Sequence, residues 1–313
     1  MMAGSWKFWV GAVAVACMLA GLMPLQAQSW ADPVNWESVP TPKKTSDVTY
    51  FPESAPGYTP TSQLLDVYQN AGVAKGTKTP VLMYIHGGGW MNGKRPASYS
   101  GFKAWLAAGF SVVNVEYRLV ETIPTATAPA AVQDIGCALA WVKKNADAYG
   151  FDANRVVTYG TSAGGHLSLM AAVLPKGNDI DLPQCRDQAK VVAVLDFYGP
   201  YHLEPRFPGA YIGATKRWMG TDPQPSLQEL EHKMSPSTYV RKGVPPVFQA
   251  HGDADPTVPY QASVDLKEDL DKVGVKNAFD TVPGGLHGHW TPEQNERVQM
   301  DSLKFLQLVG VIP

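Results

Sequence analysis

Short apolar runs alternate along this chain with longer segments whose apolar residues recur every three or four positions. The short runs are rich in β-branched residues, which favours buried strands, and the longer spacing favours helices packed against them. The predicted strands are 80–85, 110–117, 156–159, 191–197, 246–250 and 278–282. The predicted helices are 97–108, 130–149, one directly after Ser162, 259–273 and 292–309. This alternation predicts an α/β fold with a doubly wound, mostly parallel sheet.

Two segments interrupt the alternation. Residues 28–60 contain six prolines and little periodicity, which predicts an extended arm on the surface of the fold. Residues 200–243 are rich in proline, glycine and aromatic residues and are too long for a simple connection. We expect this second segment to be a small helical cap insertion over a site, or else a surface insertion.

The first 27 residues have the pattern of a secretory signal peptide. Lys7 is their only charged residue, an apolar stretch follows at 8–25, and Ala27 is a plausible cleavage point. We therefore expect one mature domain, 28–313, that is periplasmic or secreted and has no stable membrane association after cleavage. An uncleaved membrane anchor is the alternative, because the apolar stretch approaches the length that spans a bilayer.

Composition excludes some classes of partner. The chain has 313 residues, of which 45% are hydrophobic, enough for a large core. The formal net charge is −2, or −3 without Lys7, and no basic block is present, so nucleic acid is not an expected partner. No cysteine and histidine spacing indicates a metal site. Cys137 and Cys185 could form a disulfide in an exported chain, but the sequence leaves their pairing open.

A serine stands between two glycines where a predicted strand meets a predicted helix. The segment is GTSAG at 160–164, after the β-branched run 155–159. A strand, a sharp turn and a helix form the nucleophile elbow of serine hydrolases. Glycines are needed there because larger side chains would clash across the strained turn. An ordinary strand-to-helix turn is the alternative for the motif taken alone.

A glycine-rich turn follows an earlier predicted strand. Its sequence is HGGGW at 86–90. Backbone N–H groups of such a turn can face a negatively charged oxygen, as acyl transfer requires. The two motifs together predict a serine hydrolase.

A serine nucleophile needs a histidine to accept its proton and a carboxylate to orient that histidine. In open parallel sheets the reacting groups gather at the carboxyl ends of strands. Two later strands end in HGDADPTVP at 251–259 and GGLHGH at 284–289. The residues leave several candidates open: Asp253, Asp255 and Asp196 for the acid, and His287 and His289 for the base.

These motifs, with VEYRL at 115–119, resemble the α/β-hydrolase superfamily, in particular the lidless esterase branch that includes hormone-sensitive lipase and bacterial acetyl and feruloyl (BD-FAE-like) esterases. The resemblance begins near Leu65 and implies the α/β-hydrolase fold, with a sheet of about eight strands and a small cap. It also implies roles for single residues: Ser162 as nucleophile, Asp255 as acid, His287 as base, and the N–H groups of Gly88, Gly89 and Ala163 as oxyanion donors. His166 stands where the hormone-sensitive-lipase branch usually has asparagine, which favours the acetyl and feruloyl branch.

Other residues near the motifs are expected to support the site without reacting. His86 should brace the glycine turn and His166 should pack behind the serine. Glu116, Arg118 and Asp134 are expected to form a buried ion-pair network. The aromatic candidates for lining a substrate pocket are Trp90, Tyr201 and Trp218, although the last two also suit the core of the insertion.

The expected activity is that of an exported serine carboxylesterase that needs no cofactor and no metal. Its substrates are expected to be short-acyl or aromatic esters, including acetyl or feruloyl esters of polysaccharides. An amidase similar to arylformamidases and a catalytically silent binding protein are the alternatives. The sequence leaves the natural acyl group and the oligomeric state open.

Overall fold

The apolar runs pair side by side at the centre of the computed structural model, which describes residues 39–53, 58–71, 73–74, 76–204, 211–220 and 226–313. The strands are β1 (Lys43–Thr49), β2 (Leu64–Gln69), β3 (Thr79–Ile85), β4 (Ser111–Val115), β5 (Phe151–Thr161), β6 (Val191–Phe197), β7 (Val247–Gly252) and β8 (Asn277–Val282). The helices are α1 (Lys103–Ala107), α2 (Ala130–Lys144), α3 (Ala146–Tyr149), α4 (Ala163–Val173), α5 (Tyr211–Met219), α6 (Leu227–Met234), α7 (Gln261–Lys272) and α8 (Pro292–Leu308).

The described strands form one sheet in the order β1-β2-β4-β3-β5-β6-β7-β8. From β4 to β8 all neighbours are parallel, whereas β1 and β2 add to one edge as antiparallel strands. The predicted α/β-hydrolase fold with a mostly parallel sheet is therefore confirmed. Since parallel strands end at the same edge, the loops after β3, β5, β7 and β8 open on one side of the sheet.

The arm predicted at 28–60 is more regular than its sequence indicates. Its described part contains β1, whose side chains are mostly exposed, so burial imposes no clear alternation on them. Backbone hydrogen bonds to β2 hold this strand, and such pairing depends on a partner distant in the chain. The sequence prediction also missed β2, which completes the antiparallel edge.

Two predicted helices are shorter in the structure. The first, expected at 97–108, is α1 from Lys103 to Ala107, preceded by a 3-10 turn at Ser100–Phe102; just before that turn, the Ser98 side chain accepts a hydrogen bond from the Ser100 N–H (3.1 Å). The second, expected at 130–149, divides into α2 and α3 at Asn145. The Asn145 side chain donates to the carbonyl of Trp141, within the last turn of α2 (2.9 Å).

Both faces of the sheet are covered by helices. On β3, Val81, Met83 and Ile85 enter a core that they share with α2 and α4, and Leu82 enters a second core shared with α1 and α8. Helix α4 is buried along nearly its whole length. It leads directly out of the serine turn, so tight packing anchors the segment that follows the candidate nucleophile.

Cys137 of α2 and Cys185 form a disulfide, with Cα atoms 4.7 Å apart. The pairing that the sequence left open is thus present, and it joins α2 to the segment between α4 and β6. Both cysteines are buried.

The insertion at 200–243 contributes α5 and α6 among the described residues. The predicted signal peptide, 1–27, lies outside the described residues, and the described residues form one compact unit. Where the chain is described, no helix combines the length and the apolar character needed to cross a bilayer.

Candidate active site

Ser162 occupies a sharp turn between β5 and α4. Its φ of 55° and ψ of −123° are strained for a residue with a side chain. A Cβ atom on Gly160 or Gly164 would come within 2.1 Å of a backbone oxygen, so only glycine fits at either position. The Ser162 N–H donates to the carbonyl of Phe197 on β6 (2.8 Å). The local sequence and the neighbouring strand thus fix the serine together.

His287 and Asp255 meet Ser162 at the carboxyl edge of the sheet. The Ser162 hydroxyl lies 2.9 Å from Nε2 of His287, and Nδ1 of His287 lies 2.7 Å from Oδ2 of Asp255. Because the carboxylate can only accept, Nδ1 carries the proton and Nε2 is free to accept from the serine. The three residues come from the loops after β5, β7 and β8.

Asp255 is held as an ionised carboxylate. Burial by itself would raise its pKa, but hydrogen bonds from His251, His287 and the backbone of Thr257 outweigh burial and hold the pKa well below its usual range. Its Oδ1 accepts from the N–H groups of Thr257 (2.7 Å) and Val258 (3.0 Å). The acid therefore keeps its charge throughout the range in which a histidine titrates.

His251 is a supporting residue that the sequence reasoning did not single out. Its Nε2 faces two acceptors, Asp255 Oδ2 (3.2 Å) and the Val258 carbonyl (3.0 Å), while Nδ1 lies 2.7 Å from the Ser263 hydroxyl. The proton is therefore on Nε2, and the Ser263 hydroxyl donates to Nδ1. A histidine four positions before the acid is a signal, but only the tertiary structure shows which group it contacts.

Gly88, Gly89 and Ala163 border the same cavity as Ser162. Within the described residues no backbone carbonyl outside the helices and strands accepts a hydrogen bond from their N–H groups. Gly88 has a φ of 120°, and a Cβ atom there would lie 1.8 Å from the Asn92 carbonyl oxygen. The glycine turn can thus fold back on itself and present unengaged donors beside the serine.

His86 braces this turn, as expected. Its Nδ1 lies 2.7 Å from the Gly87 carbonyl and its Nε2 lies 2.9 Å from Oε1 of Glu116. Its ring stacks on Tyr117 at 4.4 Å between centres. The second oxygen of Glu116 accepts from the backbone N–H of Arg95 (3.1 Å). The turn is therefore tied to the end of β4.

The expected ion-pair network divides into two parts. Arg118 pairs with the fully buried Asp134 at 2.8 Å, and Gln63 donates to the same carboxylate at 2.8 Å. Glu116 contacts His86 and Arg95 instead of Arg118. Only Glu116 is thus linked directly to the glycine turn.

His166 lies behind the serine and joins the glycine turn to the insertion. Its Nδ1 accepts from the Trp90 indole (3.2 Å), and its Nε2 donates to the Met234 carbonyl at the end of α6 (2.8 Å). Burial lowers the pKa of His166 to about 4, so the ring is neutral at pH 7. A neutral imidazole with one donor and one acceptor matches these two partners.

The cavity at Ser162 has a volume of about 450 Å³. The lining residues include Trp90, Met91, Tyr198, Pro200, Ala214 and Val258. Ala214 belongs to α5, so the described part of the insertion caps one side of the cavity. Among the described lining residues, only His287 and Tyr198 have ionisable side chains, and no carboxylate, lysine or arginine is present. This lining indicates a site for neutral groups.

Two of the three aromatic pocket candidates are placed elsewhere. Tyr201 is fully buried and its hydroxyl donates to Asp269 (2.9 Å), away from the described lining of the cavity. Trp218 is also fully buried, and it stacks on Trp90 with ring centres 4.6 Å apart. Both predictions were wrong because these rings join the main core: Tyr201 lies in a cluster with residues of α4, β6 and α7, and Trp218 lies in the cluster that contains residues of α2 and α4. Trp90 does border the cavity.

The competing acid and base candidates do not border the described cavity at Ser162. Asp253 accepts from the N–H of Gly284 (2.6 Å) and so holds the loop that leads to His287. His289 is exposed. Asp196 is fully buried, with Oδ1 accepting from the N–H of Gly199 (3.0 Å), and burial raises its pKa to about 7.

A family model described as BD-FAE matches residues 65–270. The chain belongs to the BD-FAE family. Among curated proteins, Esterase LipQ of Mycobacterium tuberculosis is 31% identical over 240 residues, covering 74% of this chain and 54% of LipQ. Esterase LipC of the same organism is 30% identical over 237 residues, covering 72% of this chain and 57% of LipC. This chain therefore spans little more than half the length of these relatives.

Solved structures agree with the family assignment. A structure described as a truncated carbohydrate esterase from gut microbiota has a TM-score of 0.72 and 27% identity, covering 86% of this chain and 96% of that one. A bifunctional GH43-CE protein of Bacteroides eggerthii has a TM-score of 0.70 and 25% identity, covering 85% of this chain and 38% of that one. The resemblance to the BD-FAE and hormone-sensitive-lipase-like esterases that the motifs indicated is confirmed.

Proposed function

We propose that this protein is a serine carboxylesterase that hydrolyses esters with short or aromatic neutral acyl groups. One observation carries the proposal: the Ser162 hydroxyl lies 2.9 Å from His287 Nε2, in a cavity bordered by three unengaged backbone N–H groups. The family and the names of its relatives support ester hydrolysis. The short hydrogen bonds and the strained serine turn argue against a silent binding protein.

In the proposed mechanism, Ser162 Oγ attacks the ester carbonyl while its proton passes to His287 Nε2. Asp255 stabilises the imidazolium that forms. The N–H groups of Gly88, Gly89 and Ala163 bind the tetrahedral oxyanion, and such donors typically lower the barrier by about 3 kcal/mol each. The bond to the alcohol oxygen then breaks, and His287 returns the proton to the leaving alkoxide.

Deacylation repeats these steps with water as the nucleophile. His287 removes a proton from the water, hydroxide adds to the acyl carbonyl, and collapse of the intermediate expels Ser162, which recovers its proton. The products are a free carboxylic acid, an alcohol and the original enzyme.

A carbohydrate ester is the substrate class that we favour. One structural relative at 27% identity is described as a carbohydrate esterase, and another at 25% is described as a bifunctional GH43-CE protein. The largely neutral lining of the cavity suits an uncharged acyl group and an uncharged sugar hydroxyl as leaving group. Acetyl and feruloyl esters of polysaccharides both meet this description.

The test compares the mature chain with its Ser162→Ala variant. The substrates are p-nitrophenyl esters from acetate to octanoate, methyl ferulate, acetylated xylan and an N-formyl anilide. We expect turnover that decreases with acyl length and is lost in the variant. Equal rates in the two proteins would reject the serine mechanism, and turnover of the anilide alone would indicate an amidase.

We also propose export through the signal peptide at 1–27, which the disulfide between Cys137 and Cys185 supports, since disulfides persist in oxidising compartments. The full chain should be processed in a Gram-negative host to a protein that begins at Gln28. A Leu19→Arg variant, with a broken apolar stretch, should stay unprocessed. A wild-type chain that remains intact in the membrane would instead support an anchor.

A further inference from the structure

The turn that follows β6 contacts both Ser162 and His287, the two residues of the proposed proton transfer. The carbonyl of Phe197 accepts the hydrogen bond from the Ser162 N–H (2.8 Å). The next residue, Tyr198, places its ring beside the His287 imidazole, with centres 4.8 Å apart and planes at 67°. This turn, 197–199, therefore links the nucleophile and the base through two adjacent residues.

Tyr198 has a backbone conformation that is unusual for its residue type. Its φ is +47°, which is strained for a bulky side chain. The conformation persists because neighbours hold the turn on both sides. The Tyr198 N–H donates to the Ala250 carbonyl (2.8 Å), and the Gly199 N–H donates to the buried carboxyl of Asp196 (3.0 Å).

The loop that carries His287 is shaped around the Tyr198 ring. Trp290 packs on the ring with centres 5.3 Å apart. A Cβ atom on Gly288 would lie 2.5 Å from the Tyr198 hydroxyl, so glycine at this position leaves room for it. The ring also borders the cavity at Ser162.

The hydrogen bonds of His287 hold its imidazole only through the two ring nitrogens. Nδ1 bonds to Asp255 and Nε2 bonds to Ser162, and both bonds are bent when the ring turns about its side-chain bonds. Because a hydrogen bond weakens as it departs from linear, a ring packed against the imidazole adds a further restraint that keeps both bonds in line.

We infer that Tyr198 is a positioning residue, whose ring, held by the turn at 197–199, keeps His287 aligned with Ser162. The inference rests on the proposed esterase function. It assigns a purpose to the strained φ of Tyr198 and to the buried Asp196, neither of which enters the proton transfer itself.

The test uses Tyr198→Phe, which keeps the ring, and Tyr198→Asn, which removes it. Asparagine tolerates positive φ better than other non-glycine residues, so the turn is retained. Tyr198→Gly removes the ring with no backbone strain at all and serves as a second variant without the ring. Tyr149→Leu is the control, because Tyr149 packs on Phe151 and does not border the described cavity.

The readout is the kcat and KM for p-nitrophenyl acetate per active site, with sites counted by exhaustive reaction with paraoxon. We expect Tyr198→Asn and Tyr198→Gly to lower kcat by about 10- to 100-fold with little change in KM, as misaligned catalytic groups do. Tyr198→Phe and the control should retain kcat within about threefold, since packing next to His287 is kept in both.

Three results would overturn the inference: unchanged kcat per site in both ringless variants, an equal loss in Tyr198→Phe, or fewer titratable sites with normal kcat per site. The last would assign Tyr198 a purely structural role. Absence of turnover in the wild-type protein, or equal turnover in Ser162→Ala, would instead reject the proposed function.

Discussion

At the scale of single residues, the carboxylate of Asp255 has the most constrained surroundings in the site. Two backbone N–H groups and two histidine rings donate to its two oxygens. Asp253, two positions earlier, holds only the neighbouring loop through Gly284. The two aspartates are nearly equivalent in the sequence but have different partners in the fold.

Replacement of each aspartate by asparagine should separate the two roles. In Asp255→Asn the amide can donate to Nδ1 of His287, which leaves the proton on Nε2 and prevents Ser162 from donating to it. We expect kcat/KM to fall by about 10³- to 10⁴-fold. Asp253→Asn retains an acceptor oxygen for Gly284 and should stay within about threefold of wild type. Equal losses in steady-state assays would contradict this assignment.

The buried His166 should make stability depend on pH. Its pKa is about 4 in the folded protein, against 6.5 for an unperturbed histidine, so between these values only the unfolded chain binds the proton. The contribution of His166 to the free energy of unfolding is therefore constant above pH 6.5. Below that pH, proton binding to the unfolded chain lowers the free energy of unfolding, by about 3 kcal/mol at pH 4.

The measurement compares urea unfolding of the wild type and His166→Asn at pH 7, 5.5 and 4. The variant should be less stable at pH 7 because it loses the contacts to Trp90 and Met234, and the difference should shrink as the pH falls. Asp196 has the opposite effect, since its raised pKa makes stability fall as the pH rises towards 7, but it is present in both proteins. A difference that does not change with pH would contradict the prediction.

At the scale of elements, α5 limits the space above the glycine turn. The Cβ of Ala214 is 3.2 Å from the position of a Cβ atom on Gly89, and both residues border the cavity. Trp218 of α5 stacks on Trp90 of the glycine turn and so holds the helix against that turn. Helix α5 and the glycine turn at 86–90 therefore pack directly on each other.

Enlarging Ala214 should narrow the range of accepted esters. Ala214→Leu adds three carbons to the wall of the cavity, so octanoate should lose about tenfold more activity than acetate. The control is Gly213→Ala on the same helix, where a new Cβ atom meets nothing within 4 Å. The measurement is the ratio of kcat/KM for p-nitrophenyl acetate and octanoate. An unchanged ratio in Ala214→Leu would place the acyl chain elsewhere.

At the scale of the whole molecule, the sheet assembles the site and the disulfide is expected to stabilise the fold. The parallel strands bring the loops of the site to one edge, whereas Cys137 and Cys185 close a loop of 48 residues around α4 and its flanking segments. Neither cysteine borders the cavity at Ser162. The disulfide is therefore expected to affect stability more than turnover.

The double variant Cys137→Ala/Cys185→Ala should lower the free energy of unfolding by about 2–4 kcal/mol, because the unfolded chain loses its cross-link. The kcat per titratable site should stay close to that of wild type. Urea unfolding and paraoxon titration measure the two quantities. A large fall in kcat per site would show that the bridge also shapes the site.

Local chemistry explains what the sequence by itself determined about this protein. The apolar runs of β3 to β7 were recognisable because strands covered on both faces are rich in apolar residues, and the turn at Ser162 was recognisable because its sterics admit only glycine at Gly160 and Gly164. Both signals depend on residues close together in the chain.

Contacts between distant residues were decided only by the tertiary structure. The family resemblance implied Asp255 and His287, but the residues themselves left Asp253 and His289 open, and the tertiary structure brought the first two to Ser162. It placed Tyr201 and Trp218 in the core and added β1 and β2 to the sheet. It also set Tyr198 against His287. Each of these outcomes depends on which strands become neighbours and how their loops pack, and a single sequence does not encode that information at any one position.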